Sequence, residues 1–120
     1  MMFVIANRFK VNPGYEAMFE ELFLHRAHLV EGMPGFCKWE LQRPLGDGWY
    51  ASITYWESRE HHDAWQRSEA FKTAHCDKPL EGMFAAPNAL EMTEVVQSSY
   101  SPQAFLDAMG QALSESGGVA

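Results

Sequence analysis

Apolar and polar residues alternate at the start of the chain. Phe3, Ile5, Phe9 and Val11 fall on one side of an extended segment, which predicts a strand over roughly residues 2–12. Asn12-Pro13-Gly14 then stops it with turn chemistry. Over residues 15–31 the period changes: Met18, Phe19, Leu22, Phe23, Leu29 and Val30 recur at helical spacing, and Gly32, Pro34 and Gly35 end the helix. Two extended runs follow, at 36–43 and 49–56, joined by Pro44-Leu45-Gly46-Asp47-Gly48, and together they predict a hairpin. Ser58 suits the N-cap of a helix through Trp65, and Ser68 that of a second short helix through His75 or Cys76. Pro79, Gly82 and Pro87 bracket a loop, and residues 89–97 read as a last strand.

The order β-α-β-β-α-β predicts a ferredoxin-like α+β fold, a four-stranded antiparallel sheet with helices on one face. Trp39, Trp49, Tyr50, Tyr55 and Trp56 fall on that sheet, more aromatic surface than one helical layer is expected to cover. A homodimer packed sheet against sheet would bury the remainder. After Tyr100, Ser101-Pro102 opens a further helix carrying Phe105, Leu106, Met109 and Leu113, which fades into Gly117-Gly118. Residues 1–100 therefore read as one domain and 101–120 as an extension, a short helix with a flexible end.

Composition narrows the partners. With 47% apolar and 13% aromatic residues in 120, the chain can bury a real core, and its net charge of −7 argues against nucleic acid and anionic membrane. Cys37 and Cys76 form neither a metal-ligand pair nor a disulfide framework, as expected of free thiols in a reducing compartment. No apolar run reaches membrane-spanning length and no charged n-region leads a long apolar stretch, so the cytoplasm is the expected location.

Four residues break the apolar pattern or stand out within it. Asn7 occupies the middle of the 3-5-7-9-11 face, where an unpaired buried amide costs ~1–3 kcal/mol; it either bonds nearby backbone or is a donor awaiting a ligand. Arg26 lies one turn after Leu22, on the stripe or at its edge. Its stem could cover the core while the guanidinium reaches water, or it could clamp a carboxylate. His75 follows Phe71 by four residues and is either a hydrogen-bonded core residue or an iron ligand. Trp65 is an ordinary core residue or a flat wall. One continuous helix would set it ~15 Å from His75, whereas a bend at Ser68 could bring the two to one cavity. His25, His28, His61 and His62 are expected in solvent.

Taken together, Asn7 within Ala6-Asn7-Arg8 and the segment Trp65…Phe71-Lys72-Thr73-Ala74-His75 resemble the IsdG-type haem-degrading monooxygenases, a branch of the antibiotic biosynthesis monooxygenase-like dimeric α+β barrels. His25-Arg26-Ala27-His28 with Pro34-Gly35-Phe36 looks like the mycobacterial members, and Tyr55-Trp56-Glu57-Ser58 is typical of the superfamily. The similarity spans about residues 3–97.

The resemblance implies a homodimer whose sheets close a barrel, with one haem per subunit between sheet and helices. His75 would be the proximal metal ligand and Asn7 would hydrogen-bond the distal ligand. Trp65 would hold the macrocycle ruffled, Phe23 and Phe71 would line the pocket, and Arg26 would approach a propionate. Haem would be both cofactor and substrate, consumed with O₂ and electrons from an external donor reductase. Beyond Arg26, Lys72 and Lys78 there is no positive cluster for propionates, and Cys76 directly follows the implied ligand. The alternatives are a cofactor-independent monooxygenase of the same superfamily acting on a phenolic substrate, and a haem-binding protein without turnover.

Overall fold

Strand β1 (Phe3–Phe9) sits inside a four-stranded antiparallel sheet, between β3 (Tyr50–Trp56) and β4 (Ala89–Glu94), with β2 (Phe36–Gln42) beyond β3. The order β2-β3-β1-β4 is that of the ferredoxin-like fold. The computed structural model describes residues 1–25, 29–75 and 81–116. Helix α1 (Glu16–His25) connects β1 to β2. The pair α2 (Arg59–Gln66) and α3 (Glu69–Ala74) lies between β3 and β4, and α4 (Pro102–Ser116) follows the sheet. No helix among the described residues is long and apolar enough to cross a membrane.

Register decides which side chains share a face. Ile5 pairs with Thr54 and Met92, and Asn7 with Ser52 and Leu90, so these residues point to one side together with Phe3 and Phe9. That side carries the helices, and its core falls into two clusters. Phe3 and Trp56 pack with Trp65 and Ala74, joined by Ile5, Phe36 and Phe71. Phe19, Phe23, Tyr50 and Met83 form the other, joined by Phe9, Trp39 and Phe84. Asn7 and Ser52 lie between the two clusters along the strands.

Of the strand aromatics expected to overfill the helical side, only Tyr55 falls on the second face. Tyr50 and Trp56 point towards the helices, as does Trp39, because the period of two gives alternate residues of β3 to opposite faces. The second face instead holds Val4, Ala6, Ala51, Ile53 and Tyr55. Lys38 Nζ lies 4.9 Å from the Tyr55 ring centre and 4.9 Å from that of Phe105, so the start of α4 rests beside this face.

The elements are also shorter than their patterns. Strand β1 ends at Phe9, Val11 keeping an isolated bridge to Phe84, and β4 ends at Glu94. The single helix expected over 15–31 is α1 plus a separate 3₁₀ turn at Val30–Gly32, with residues 26–28 outside the described ones. Packing explains why the period misleads: Phe19 and Phe23 take the buried side, whereas Met18 and Leu22 from the same stripe stay half exposed.

Candidate functional site

The corner between α2 and α3 is built by two serines. Ser58 caps α2, its Oγ accepting from His61 N at 3.3 Å. Ser68 caps α3, accepting from Phe71 N at 3.1 Å while its hydroxyl donates to Trp65 O at 2.7 Å. The second bond ties the end of one helix to the start of the next, and the chain bends there. As a result Trp65 and His75 have ring centres 6.3 Å apart, not at opposite ends of one rod. Phe71 joins them, stacked on His75 at 4.1 Å and edge-on to Trp65 at 5.5 Å.

His75 is the C-cap residue of α3 and is exposed, so it is not the core histidine that its spacing also allowed. Its Nδ1 lies 2.8 Å from Phe71 O, which also accepts from His75 N at 3.1 Å. A carbonyl can only accept, so Nδ1 carries a proton, which in the neutral ring leaves the lone pair to Nε2. That is the tautomer in which an imidazole binds a metal, with its other N–H held by a backbone carbonyl. Trp65, 6% exposed, packs at 6.5 Å from Trp56 and presents only a rim. Among the described residues no three His, Cys, Asp or Glu side chains gather as a metal site.

Asn7 is partly buried in the strip between the two core clusters. Its partner is not backbone: Asn88 Nδ2 donates to Asn7 Oδ1 at 2.8 Å. Beside it, Trp39 Nε1 donates to Ser52 Oγ at 2.9 Å. Across β4 on the same face, Leu90 and Met92 are 57% and 45% exposed, leaving apolar surface beside the amide.

Phe23 belongs to the cluster away from His75, stacked on Trp39 at 5.9 Å. Its helix is pinned by Glu20, which accepts from Tyr50 Oη at 2.6 Å and from Arg43 Nε at 2.7 Å and Nη2 at 2.5 Å. The Arg43 hydrogen bond, with a further one from Tyr50, outweighs burial and lowers the Glu20 pKa. Burial, with the Glu20 carboxylate beside it, pushes the Tyr50 hydroxyl up to about 12.

The structure thus unites Trp65, Phe71 and His75, sets Asn7 on the neighbouring strands, and places Phe23 across the strip. Arg26, Cys76 and Lys78 lie outside the described residues, as does His28. His62 corrects its expected exposure. It is 4% exposed, with its ring 5.1 Å from Phe3 and 6.2 Å from Trp56 and its Nδ1 3.1 Å from Asp63 Oδ1. Its spacing of three from Trp65 was the available signal, since both share one face of α2.

Fold and corner define a small ferredoxin-like α+β protein with a histidine-bearing aromatic site on the helical side of its sheet. The model of the antibiotic biosynthesis monooxygenase family matches residues 2–76, and the chain belongs to that family. It is 35% identical over 97 residues to the heme oxygenase (mycobilin-producing) of Mycobacterium tuberculosis, covering 80% of this chain and 91% of the relative. It is 29% identical over 89 residues to the heme oxygenase (staphylobilin-producing) of Staphylococcus haemolyticus, covering 72% and 85%. Among solved structures, it resembles the heme-degrader MhuD of Mycobacterium tuberculosis with two hemes bound in its active site. There the TM-score is 0.68 and the identity 34%, over 82% of this chain and 99% of that one.

Proposed function

We propose that this protein is a haem-degrading monooxygenase and that His75 is its axial ligand. The observation that carries the reading is the seat of His75: its Nδ1–H is held by Phe71 O, its ring stacks on Phe71, and Trp65 stands beside it. The donor set fits haem: one imidazole whose Nδ1–H is held by a backbone carbonyl, aromatic walls, and one amide on the strip where the core is interrupted. When bound, haem is both substrate and oxygen-activating group, its ring opened with O₂ and electrons from an external donor and its iron released.

The chain's own residues divide the remaining work. The Phe71 carbonyl fixes the tautomer and direction of His75, and Ser68 holds the bend that keeps His75 beside Trp65. Trp65 and Phe71 form the apolar wall on the α2–α3 side. Phe23, backed by Trp39, forms the other, with Leu90 and Met92 on β4 between. Asn7 would supply a polar group to a ligand bound at the haem, and Arg26, which lies outside the described residues, would pair with a propionate. We further propose a homodimer through the second sheet face, supported by its apolar make-up, in which the partly exposed Val4 and Tyr55 flank the small, buried Ala6 and Ala51.

Haemin titration of the wild type beside His75→Ala tests the reading. The expected result is a saturable Soret band near one haem per subunit, shifted or lost in the variant. Ascorbate in air with catalase present should then bleach it and release iron. A ligated band unchanged by reductant points to a haem carrier, and no specific band in the wild type sinks the haem reading and turns the search to phenolic substrates.

A further inference from the structure

The Asn7 side chain ends in two unlike groups, an acceptor oxygen and a donor nitrogen, and its direction decides which one meets a ligand. Neither residue directly opposite sets that direction. Leu90 cannot hydrogen-bond through its side chain, and among the described residues the Ser52 hydroxyl bonds Trp39 Nε1 and not the Asn7 amide. Asn88 lies two residues before Leu90, immediately ahead of β4, so it comes to the side of Asn7 and approaches it diagonally. Its Nδ2 donates to Asn7 Oδ1 at 2.8 Å. With the oxygen engaged there, the Nδ2 end of Asn7 is turned the other way, and no acceptor for it is found among the described residues.

We infer that Asn88 is a positioning residue: it holds Asn7 so that its N–H₂ end, not its carbonyl, faces a ligand in the pocket. The inference rests on the haem reading of that pocket. An amide so held presents positive character to a bound diatomic ligand, whereas a reversed one presents a carbonyl lone pair. Asn88→Asp separates the two states, because a carboxylate can only accept. It draws Nδ2 of Asn7 to itself and turns the oxygen towards the pocket.

The test uses the full chain with haemin, in wild type, Asn88→Asp, Asn88→Ala and Asn88→Ser, each also with Asn7→Ala. The readouts are the C–O stretching frequency of the reduced, CO-bound complex and the cyanide affinity of the ferric one. Asn88→Asp should raise the stretch and weaken cyanide about tenfold, the size of one hydrogen bond to a charged group. Asn88→Ser, whose hydroxyl still donates, should recover most of the wild-type value. With Asn7→Ala present, substitutions at 88 should change neither readout, since Asn88 acts through Asn7.

In the haem-free protein, the side-chain amide resonances of Asn7, assigned by their loss in Asn7→Ala, should move in Asn88→Asp. Haem-loaded variants at 88 that match wild type overturn the role, as does an effect that persists without Asn7. A wild type that binds no haemin overturns both readings, whereas one that binds while the variants at 88 behave alike overturns only this one.

Discussion

At the scale of single residues, the groups proposed to carry the chemistry were the more legible ones, because each stood out in a pattern. Asn7 is a polar residue on an apolar period-two face, and its partly buried place follows from that alone. His75 left two readings open, and only coordinates show its Nδ1 on the Phe71 carbonyl. Asn88 and Glu20 break no pattern, since each acts through a partner distant in sequence, 81 and 23–30 residues away. Glu20 is the residue whose effect is easiest to read by pH. Its folded-state pKa is lowered, so the stability it contributes is present above the unfolded carboxylate pKa and is lost as pH falls through the folded value. Glu20→Gln should therefore cost on the order of 1 kcal/mol at neutral pH and progressively less in acid. Tyr50 gives the alkaline counterpart. Its pKa is raised to about 12, so wild-type stability should fall as pH rises from about 10 to 12, where the unfolded chain ionises first. Urea melts across pH check both, and a gap between Glu20→Gln and wild type that stays constant down to acid would rule out the ion-pair account.

At the scale of elements, periodicity located the strands and both serine caps, because backbone geometry and capping are local. It overran the first helix, whose stripe continued on paper through Val30, because period alone does not tell which side of a stripe will find a partner. The bend at Ser68 is the element-scale feature on which the site depends. Its hydroxyl bonds both helices at once, to Trp65 O and from Phe71 N, and so fixes where α3 delivers His75. Ser68→Ala should cost about 1 kcal/mol in stability, as expected for a lost N-cap. It should weaken haem binding more than an exposed cap of equal stability would, since it also releases the angle between Trp65 and His75. Thermal melts with haemin titrations on the same samples separate the effects. Ser68→Ala with lowered stability but wild-type haem affinity would show that the corner does not depend on that bond.

At the scale of the whole molecule, the layering was legible, and what the pattern overstated was the aromatic remainder: aromatics counted along the sheet are not aromatics on one face. The face away from the helices is floored by the buried Ala6, Ala51 and Ile53, with the partly buried Val4 opposite Tyr55, its one strand aromatic. Such a floor suits close approach of a second sheet, so sedimentation should return twice the 13.6 kDa chain mass, and a monomer would overturn the dimer. Helix α4 meets this face at its rim, where Lys38 lies between the Tyr55 and Phe105 rings. A cation–π contact at an exposed site is worth about 0.5–1 kcal/mol, too little to hold the sheet together. The candidate site lies on the opposite side, so a chain ending at Tyr100 should melt close to wild type, remain dimeric and bind the same one haem per subunit. A monomeric truncated chain would make α4 part of the subunit contact. A truncated chain that stays dimeric but loses haem would mean that α4 reaches the site of the neighbouring copy, and the pocket would then have to be drawn from both chains.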